Sequence, residues 1–435
     1  MLTKLPTPGK VVKEEKNLKA GTTTWTLSNG AEVTFKKTDF KNDEILFSGY
    51  RFGGSSLYEG SDYQSADYSN NVVDEMGYGE FSNNDLQKFL KGKTVDVSTV
   101  VDINSDIVDG KSSVKDLETA LQLLYLKCTS PRADKASFEA FKNKQMQMTA
   151  QMKSDPQSYY GDSLNRYLYK NHPRSKEIPD ASDFDNINLA NAMDFYTSRF
   201  STANGMNYFF VGSIPEATFK GLIEKYIGGL GNTKVPNKTR DIGMEPIMGN
   251  NTFVFNMGSE PKSMVNEMMY AYMPYNPSDD LVLKLLAEVI NNRITDIIRE
   301  KMSAIYGGGA GFRLQKYPKE KFTMQSYLPC GPENAVKVQE AFWDIINEVK
   351  SEGNISQEEL IKTTATMIQK FKVGVKTNGY WISALTKVQQ YPLPIEEILN
   401  TEANIAKVKP SDLTMVANKY LNGKNVLHAL MMPAK

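Results

Sequence analysis

The sequence predicts an α+β protein of two tandem homologous domains, each a mostly antiparallel sheet packed with helices. Three observations predict it. A set of landmarks recurs in the same order, and each copy opens with strand-like stretches. At 435 residues the chain is also too long for one ordinary core. Apolar residues make up 40% and charged residues 23%, as in an ordinary globular protein.

The first copy opens with "TTTWTLSNGAEVTFKKT", where Asn29-Gly30 signals a hairpin, and continues into "DEILFSGYRFGG". In "DLETALQLLYLKC", Leu117, Ala120, Leu121 and Leu124 share one helical face, and "SFEAFKNKQMQMTAQM" is a second helix. The copy closes on an aromatic-rich helix end, a turn and an apolar strand, "FYTSRFSTANGMNYFFVGS". The second copy repeats this plan. "NTFVFNMG" and "SMVNEMMYAYMPY" are its strands, and Val338, Phe342, Ile345 and Ile346 line the face of "VQEAFWDIINEVK". A capping box at Ser356 and Glu359 then starts "SQEELIKTTATMIQKFK", and "VANKYLNGKNVLHALMMP" closes the copy. Leu117, Phe138 and Phe200 keep the spacing of Val338, Leu360 and Tyr420 to within two residues, a repeat of roughly 220 residues. The expected division is a lead-in at 1–19, a first domain at 20–235, a linker at 236–250 within "TKVPNKTRDIGMEPIMGN", and a second domain at 251–435.

Lys+Arg and Asp+Glu are both 51, a balance that argues against a dedicated nucleic-acid binder or a polybasic membrane anchor. No apolar stretch approaches the ~20 residues of a membrane span. The N-terminal stretch has no apolar h-region and reads as a Pro/Lys-rich connection to something longer. Cys128 and Cys330 have no metal-ligand spacing and are expected as buried thiols. His172, before Pro173 in a polar loop, and His428, in the last apolar strand, are expected to be a surface residue and a satisfied sheet residue. Asp62, Asp67, Asp74, Glu75 and Glu80 are expected to form a solvated helix face. "NGYW" at 378–381 reads as a cap on a core between two helices, or as a chamber wall.

The most informative stretch is "IREKMSAIYGGGAGF", residues 298–312. A phosphate loop places its glycines before a helix, whose N-terminus faces the anion; here the helix comes first and no Lys-Ser/Thr follows. A helix C-cap explains one glycine, not Gly307, Gly308, Gly309 and Gly311 together. So much bare backbone suits strand-on-edge pairing with a peptide, which makes Gly307, Gly308 and Gly309 candidate substrate-binding residues. On a continuous helix, Arg299 and Tyr306 fall within about 20° of one face, roughly 10.5 Å apart along the axis. Both end in donors suited to a carbonyl oxygen.

Duplicated α+β domains with "REKMSAIYGGGAGF" early in the second resemble the pitrilysin-like, or insulinase-like, zinc metallopeptidases of family M16, over roughly residues 20–435. In that family the non-metal-binding half carries an Arg, six intervening residues and a Tyr between a long helix and a strand, which Arg299 and Tyr306 match. The resemblance implies that this pair binds the scissile carbonyl and helps stabilise the developing oxyanion. The family's zinc motif, His-x-x-Glu-His on the first long helix, is missing: "SDYQSADYSNNVVDEMGYGEF" holds no histidine. The resemblance therefore implies a substrate-binding half, inactive alone, with no cofactor of its own. Zinc would sit in a catalytic half that is part of a longer chain or a separate subunit. The expected partners are that half and a peptide substrate, without nucleic acid or a membrane span. Four-domain relatives are commonly exported, which points to the periplasm or cell envelope. An inert structural subunit and a stand-alone peptide-binding module are the alternatives.

Overall fold

A computed structural model describes residues 1–434 of the chain, and twelve strands in it form two sheets, as the repeat predicts. The first holds β1 (Val11–Asn17), β2 (Thr22–Leu27), β3 (Glu32–Lys37), β4 (Ile45–Phe52), β5 (Val95–Val101), β6 (Ser105–Ser112) and β7 (Asn207–Gly212), ordered β1-β2-β3-β7-β4-β6-β5. The second holds β8 (Asn250–Asn256), β9 (Ser263–Tyr272), β10 (Gly309–Gln315), β11 (Lys321–Cys330) and β12 (Val426–Met432), ordered β10-β11-β9-β12-β8. Each sheet has a single parallel pair, β3 with β7 and β8 with β12, at the same place in the order. Five strands thus follow one plan twice, and β1 and β2 are additions to the first copy. β1 lies in the stretch read as lead-in; it pairs with β2 as an edge strand.

Local signals account for the boundaries. The Asn29-Gly30 turn joins β2 to β3, with Gly30 at a positive φ of 83°. Ser356 Oγ accepts from Glu359 N at 3.1 Å and Glu359 returns a bond to Ser356 N at 3.0 Å, so helix Gln357–Gly374 starts at its capping box. Leu117, Ala120, Leu121 and Leu124 are buried in the first sheet's core, as are Val338, Phe342, Ile345 and Ile346 in the second's.

The chain divides into two compact units whose members alternate along the sequence. One comprises Met1–Met148, Asp180–Arg240 and Lys372–Asn400; the other comprises Thr149–Pro179, Asp241–Phe371 and Thr401–Lys435. The first unit's sheet is covered on its second face by helix Asn378–Gln390. "NGYW" is therefore the first turn of a helix, and Trp381 is buried among Tyr50, Phe209, Val211, Leu385 and Ile398. In the second unit, helix Pro156–Leu168 plays the equivalent part over β8, β9 and β12, with Tyr160 and Leu164 against Met264 and Leu427.

Each unit buries a charged cluster in its interior. Asp106 accepts from Arg51 Nε at 3.0 Å and from Arg199 Nε and Nη2 at 2.8 and 2.6 Å, all three residues being fully or almost fully buried. In the other unit, Glu267 is wholly buried and accepts from Gln339 Nε2 (2.6 Å), Trp343 Nε1 (2.9 Å) and His428 Nδ1 (2.6 Å). His428 is thus a satisfied sheet residue, and the Glu267 hydrogen bond raises its pKa above the usual histidine value. His172 bonds the Ile242 carbonyl and accepts from Arg174 N. Cys128 and Cys330 are free, buried thiols, which burial pushes up to about 12 and about 11. Among the described residues no helix is long and apolar enough to cross a membrane.

Candidate functional site

The long helix of the second copy begins at Pro277, with Asn276 Oδ1 accepting from Ser278 N and Asp279 N. Its far end is tied down by Arg293, whose guanidinium forks onto Glu359 (2.9 and 3.0 Å) and also reaches Glu348 and Asn354. Beyond Arg293 the helix widens to π geometry over Ile294–Lys301, so that Met302 N bonds Ile297 O, five residues back, at 2.9 Å. Such widening recurs at functional sites.

This turn changes one expectation. Arg299 and Tyr306 do not share a helix face. Arg299 lies on the widened turn with its side chain 52% exposed, in a 3.4 Å ion-pair contact with neighbouring Glu300. Ser303 then takes a positive φ of 52°, and Tyr306 falls outside the helix in the approach to β10. Tyr306 is 97% exposed, an unusual position for a ring that would recover free energy from burial.

β10 is an edge strand, paired with β11 from Gly309↔Tyr327 to Gln315↔Lys321. Its even residues pack inward: Ala310 and Leu314 are buried, and Phe312 packs against the same core. Its odd residues line the open face, as alternation requires. Asn291, on the long helix, closes the start of the edge. Its Oδ1 accepts from Ala310 N at 2.7 Å and its Nδ2 donates to Ala310 O at 3.0 Å. Because these Ala310 groups face away from β11, those of Phe312 and Leu314 do too. They have no hydrogen-bond partner among the described residues.

The glycines divide by cause. Gly308 sits at φ +130°, and a Cβ there would meet the Tyr327 carbonyl oxygen at 2.3 Å. At Gly309 a Cβ would meet Asn291 Oδ1 at 2.6 Å and disturb the clamp. At Gly307 and Gly311 a Cβ would meet nothing within 4 Å. The fold therefore accounts for two glycines and leaves two bare without local need. An open recess of about 600 Å³ runs along Gly308, Gly309, Gly311, Arg313, Gln325 and Tyr327.

Sequence reasoning missed Asn291 and Arg313. The pair Asn291-Asn292 inside an otherwise apolar helical run was a signal for the first, since Asn is a poor helix former. Arg313 carried no signal without the strand register.

The residues present do not fit a zinc ion. Helices Gln64–Asp67 and Ser69–Met76, formed by the stretch compared above with the family's zinc motif, contain no histidine. Asp62 instead takes bonds from Tyr58, Ser65 and Asn191, and Asp74 pairs with Lys127 at 2.5 Å. No group of three or more His, Cys, Asp or Glu side chains among the described residues could hold a metal.

The duplicated sheet-and-helix fold is that of solved M16-like peptidase structures. Residues 186–367 match the family described as peptidase M16 inactive domain. Among curated proteins, the chain is similar to the probable zinc protease PqqL of Haemophilus influenzae, 22% identical over 364 residues, covering 82% of this chain and 39% of that protein. It is likewise 22% identical over 414 residues to the zinc protease PQQL-like of Arabidopsis thaliana, covering 90% and 40%. The chain thus spans about two fifths of the length of these relatives. Among solved structures, the periplasmic protease PqqL of Escherichia coli superposes with a TM-score of 0.83 at 16% identity, over 99% of this chain and 47% of that one. A peptidase M16 inactive domain from Pseudomonas fluorescens gives 0.79 at 17% identity, over 95% and 98%.

Proposed function

We propose that this chain is the substrate-holding half of an M16-type zinc peptidase, inactive alone, which completes an active site whose metal lies in a separate catalytic half. In this reading an extended peptide adds as a strand along β10, and Arg299 and Tyr306 donate to its scissile carbonyl. Gly307, Gly308 and Gly309 keep the approach to that strand free of side chains. The observation that carries the reading is Tyr306, 97% exposed beside an edge strand with free outward groups. A scaffold gains nothing from such a ring, whereas a donor awaiting a ligand must be exposed. The kinship to zinc proteases more than twice this length supports a catalytic half elsewhere. The E. coli relative, a periplasmic protease by its description, supports the periplasm or cell envelope as the compartment.

The test is peptide cleavage with the zinc-bearing half supplied. Tyr306→Phe removes one hydroxyl and should lower kcat by about 10²–10³, with KM far less affected, as for loss of one oxyanion donor. Its melting temperature should match the wild type, since the ring touches no core. Wild-type turnover by Tyr306→Phe, in an active assembly, would remove Tyr306 from the reacting centre. Robust cleavage by the chain alone would overturn the division of labour.

A further inference from the structure

The open face of the second sheet carries two cations that no carboxylate among the described residues neutralises, although the Lys321 ammonium stands over the Tyr169 ring at 5.9 Å. Arg313, on β10, is exposed, and Lys321, on β11, is half-buried. Neither has a side-chain ion-pair or hydrogen-bond partner among the described residues, whereas Arg293, Lys319 and Lys370 in the same unit are each paired with a carboxylate. The register puts both on one face: Arg313 stands opposite Thr323, and Lys321, two residues before it, shares its side of the sheet. They line a recess of about 400 Å³ beneath helix Pro156–Leu168, with Gln315, Gln325, Tyr169 and Tyr270. The Lys321 ammonium feels the confinement; burial, and then the charge of Arg313, lowers its pKa. Glu177 is the one carboxylate among the lining residues, and it pairs with neither cation.

This recess is continuous with the glycine lane, since both are lined by Arg313, Thr323, Gln325 and Tyr327. A Cβ at Gly311 would meet nothing within 4 Å, so the way from the edge to Arg313 is unobstructed. Alternate side chains of a strand added to β10 fall on this face, beside Arg313. Unneutralised, partly confined cations at that place are complementary to a carboxylate.

We propose that Arg313 and Lys321 form a subsite for the acidic side chains of an extended peptide, so that this half selects substrate segments carrying Asp or Glu. The proposal rests on the reading that peptides pair with β10. Arg313 supplies a planar fork for one carboxylate, and Lys321 a second, deeper charge under the helix. Gln315 and Gln325 can donate to the remaining carboxylate oxygens.

The experiment measures binding of the full chain to two fluorescein-labelled, unstructured decapeptides. One carries Glu at alternate positions; the other carries Gln at those positions. Amide exchange at Phe312 and Leu314 is followed in parallel. The Glu peptide should bind about fivefold more tightly, as one partly solvated charge pair allows. That preference should vanish in the Arg313→Gln/Lys321→Gln double variant and shrink with added salt, while binding of the Gln peptide stays unchanged. Melting of the variant checks that it folds; single Arg313→Gln and Lys321→Gln chains serve if the double variant melts early. Equal binding of both peptides, with Phe312 and Leu314 protected, would overturn the acidic preference and leave strand pairing standing. Binding of neither peptide would overturn the pairing and the subsite together. Tighter binding of a single-stranded oligothymidine than of the Glu peptide would also overturn the proposal.

Discussion

The two sheets follow one strand order, yet their outer strands β5 and β10 solve the edge problem differently. β5 is "VDVSTVV", rich in β-branched residues, with Val97, Thr99 and Val101 buried and Thr99 Oγ1 bonded to Tyr196 Oη at 2.8 Å. β10 is "GAGFRLQ", held through its backbone by the Asn291 clamp. The grooves beside the two strands differ in the same sense. Lys127 beside β5 is buried and neutralised by Asp74, whereas Arg313 and Lys321 at β10 and β11 have no ion-pair partner among the described residues. Both edges are met by a helix asparagine, Asn70 at Val101 N (3.4 Å) and Asn291 at Ala310; they differ in that β5 carries β-branched side chains and β10 carries bare glycines and charge. A duplicated plan tolerates this divergence because sheet topology depends on strand pairing, while edge chemistry depends on a handful of side chains.

The buried charge clusters sharpen the contrast, and the largest expected effect lies there. Asp106→Ala leaves Arg51 and Arg199 buried without a counter-charge and should destabilise the first unit by about 3–5 kcal/mol, read as an early transition in urea denaturation. Loss of less than 1 kcal/mol would show that solvent reaches both guanidinium groups.

A smaller effect is expected at β10. Gly308→Ala places a Cβ against the Tyr327 carbonyl at a φ of +130° and should cost about 1–3 kcal/mol. Gly311→Ala, with open space at the Cβ, should stay within about 0.5 kcal/mol or stabilise slightly. Equal costs at both positions would undo the distinction between structural and free glycines.

The smallest effect is in pH dependence and again separates the units. Arginine side chains stay charged near neutrality, so a histidine–carboxylate pair is the kind of cluster that can respond there. His428 has its pKa raised by Glu267, so protonation favours the folded state. The stability it adds is complete below its unfolded value of about 6.5 and is lost as pH rises through the higher folded value. Thermal melting of the second unit should therefore decline gently above about pH 6.5, and His428→Gln should flatten the profile. A profile unchanged by that substitution would mean that the pair does not titrate between the folded and unfolded states.

The sequence by itself determined the repeat, the Asn29-Gly30 hairpin, the Ser356–Glu359 capping box and the lack of a histidine pair for zinc. Each is a matter of neighbours a few residues apart or of composition, which periodicity and turn chemistry encode directly. Only the tertiary structure decided the rest. The unit membership of 149–179 and 372–400, which places "NGYW" on the first sheet, depends on contacts between distant segments. The widened turn at Ile294–Lys301 broke the ideal helical geometry that would have aligned Arg299 with Tyr306, because a hydrogen bond reaching back five residues carries no sequence periodicity of its own. Asn291 meets Ala310, and Arg313 comes to share a face with Lys321, through strand register, which the pairing of β10 with β11 sets and no local pattern reveals.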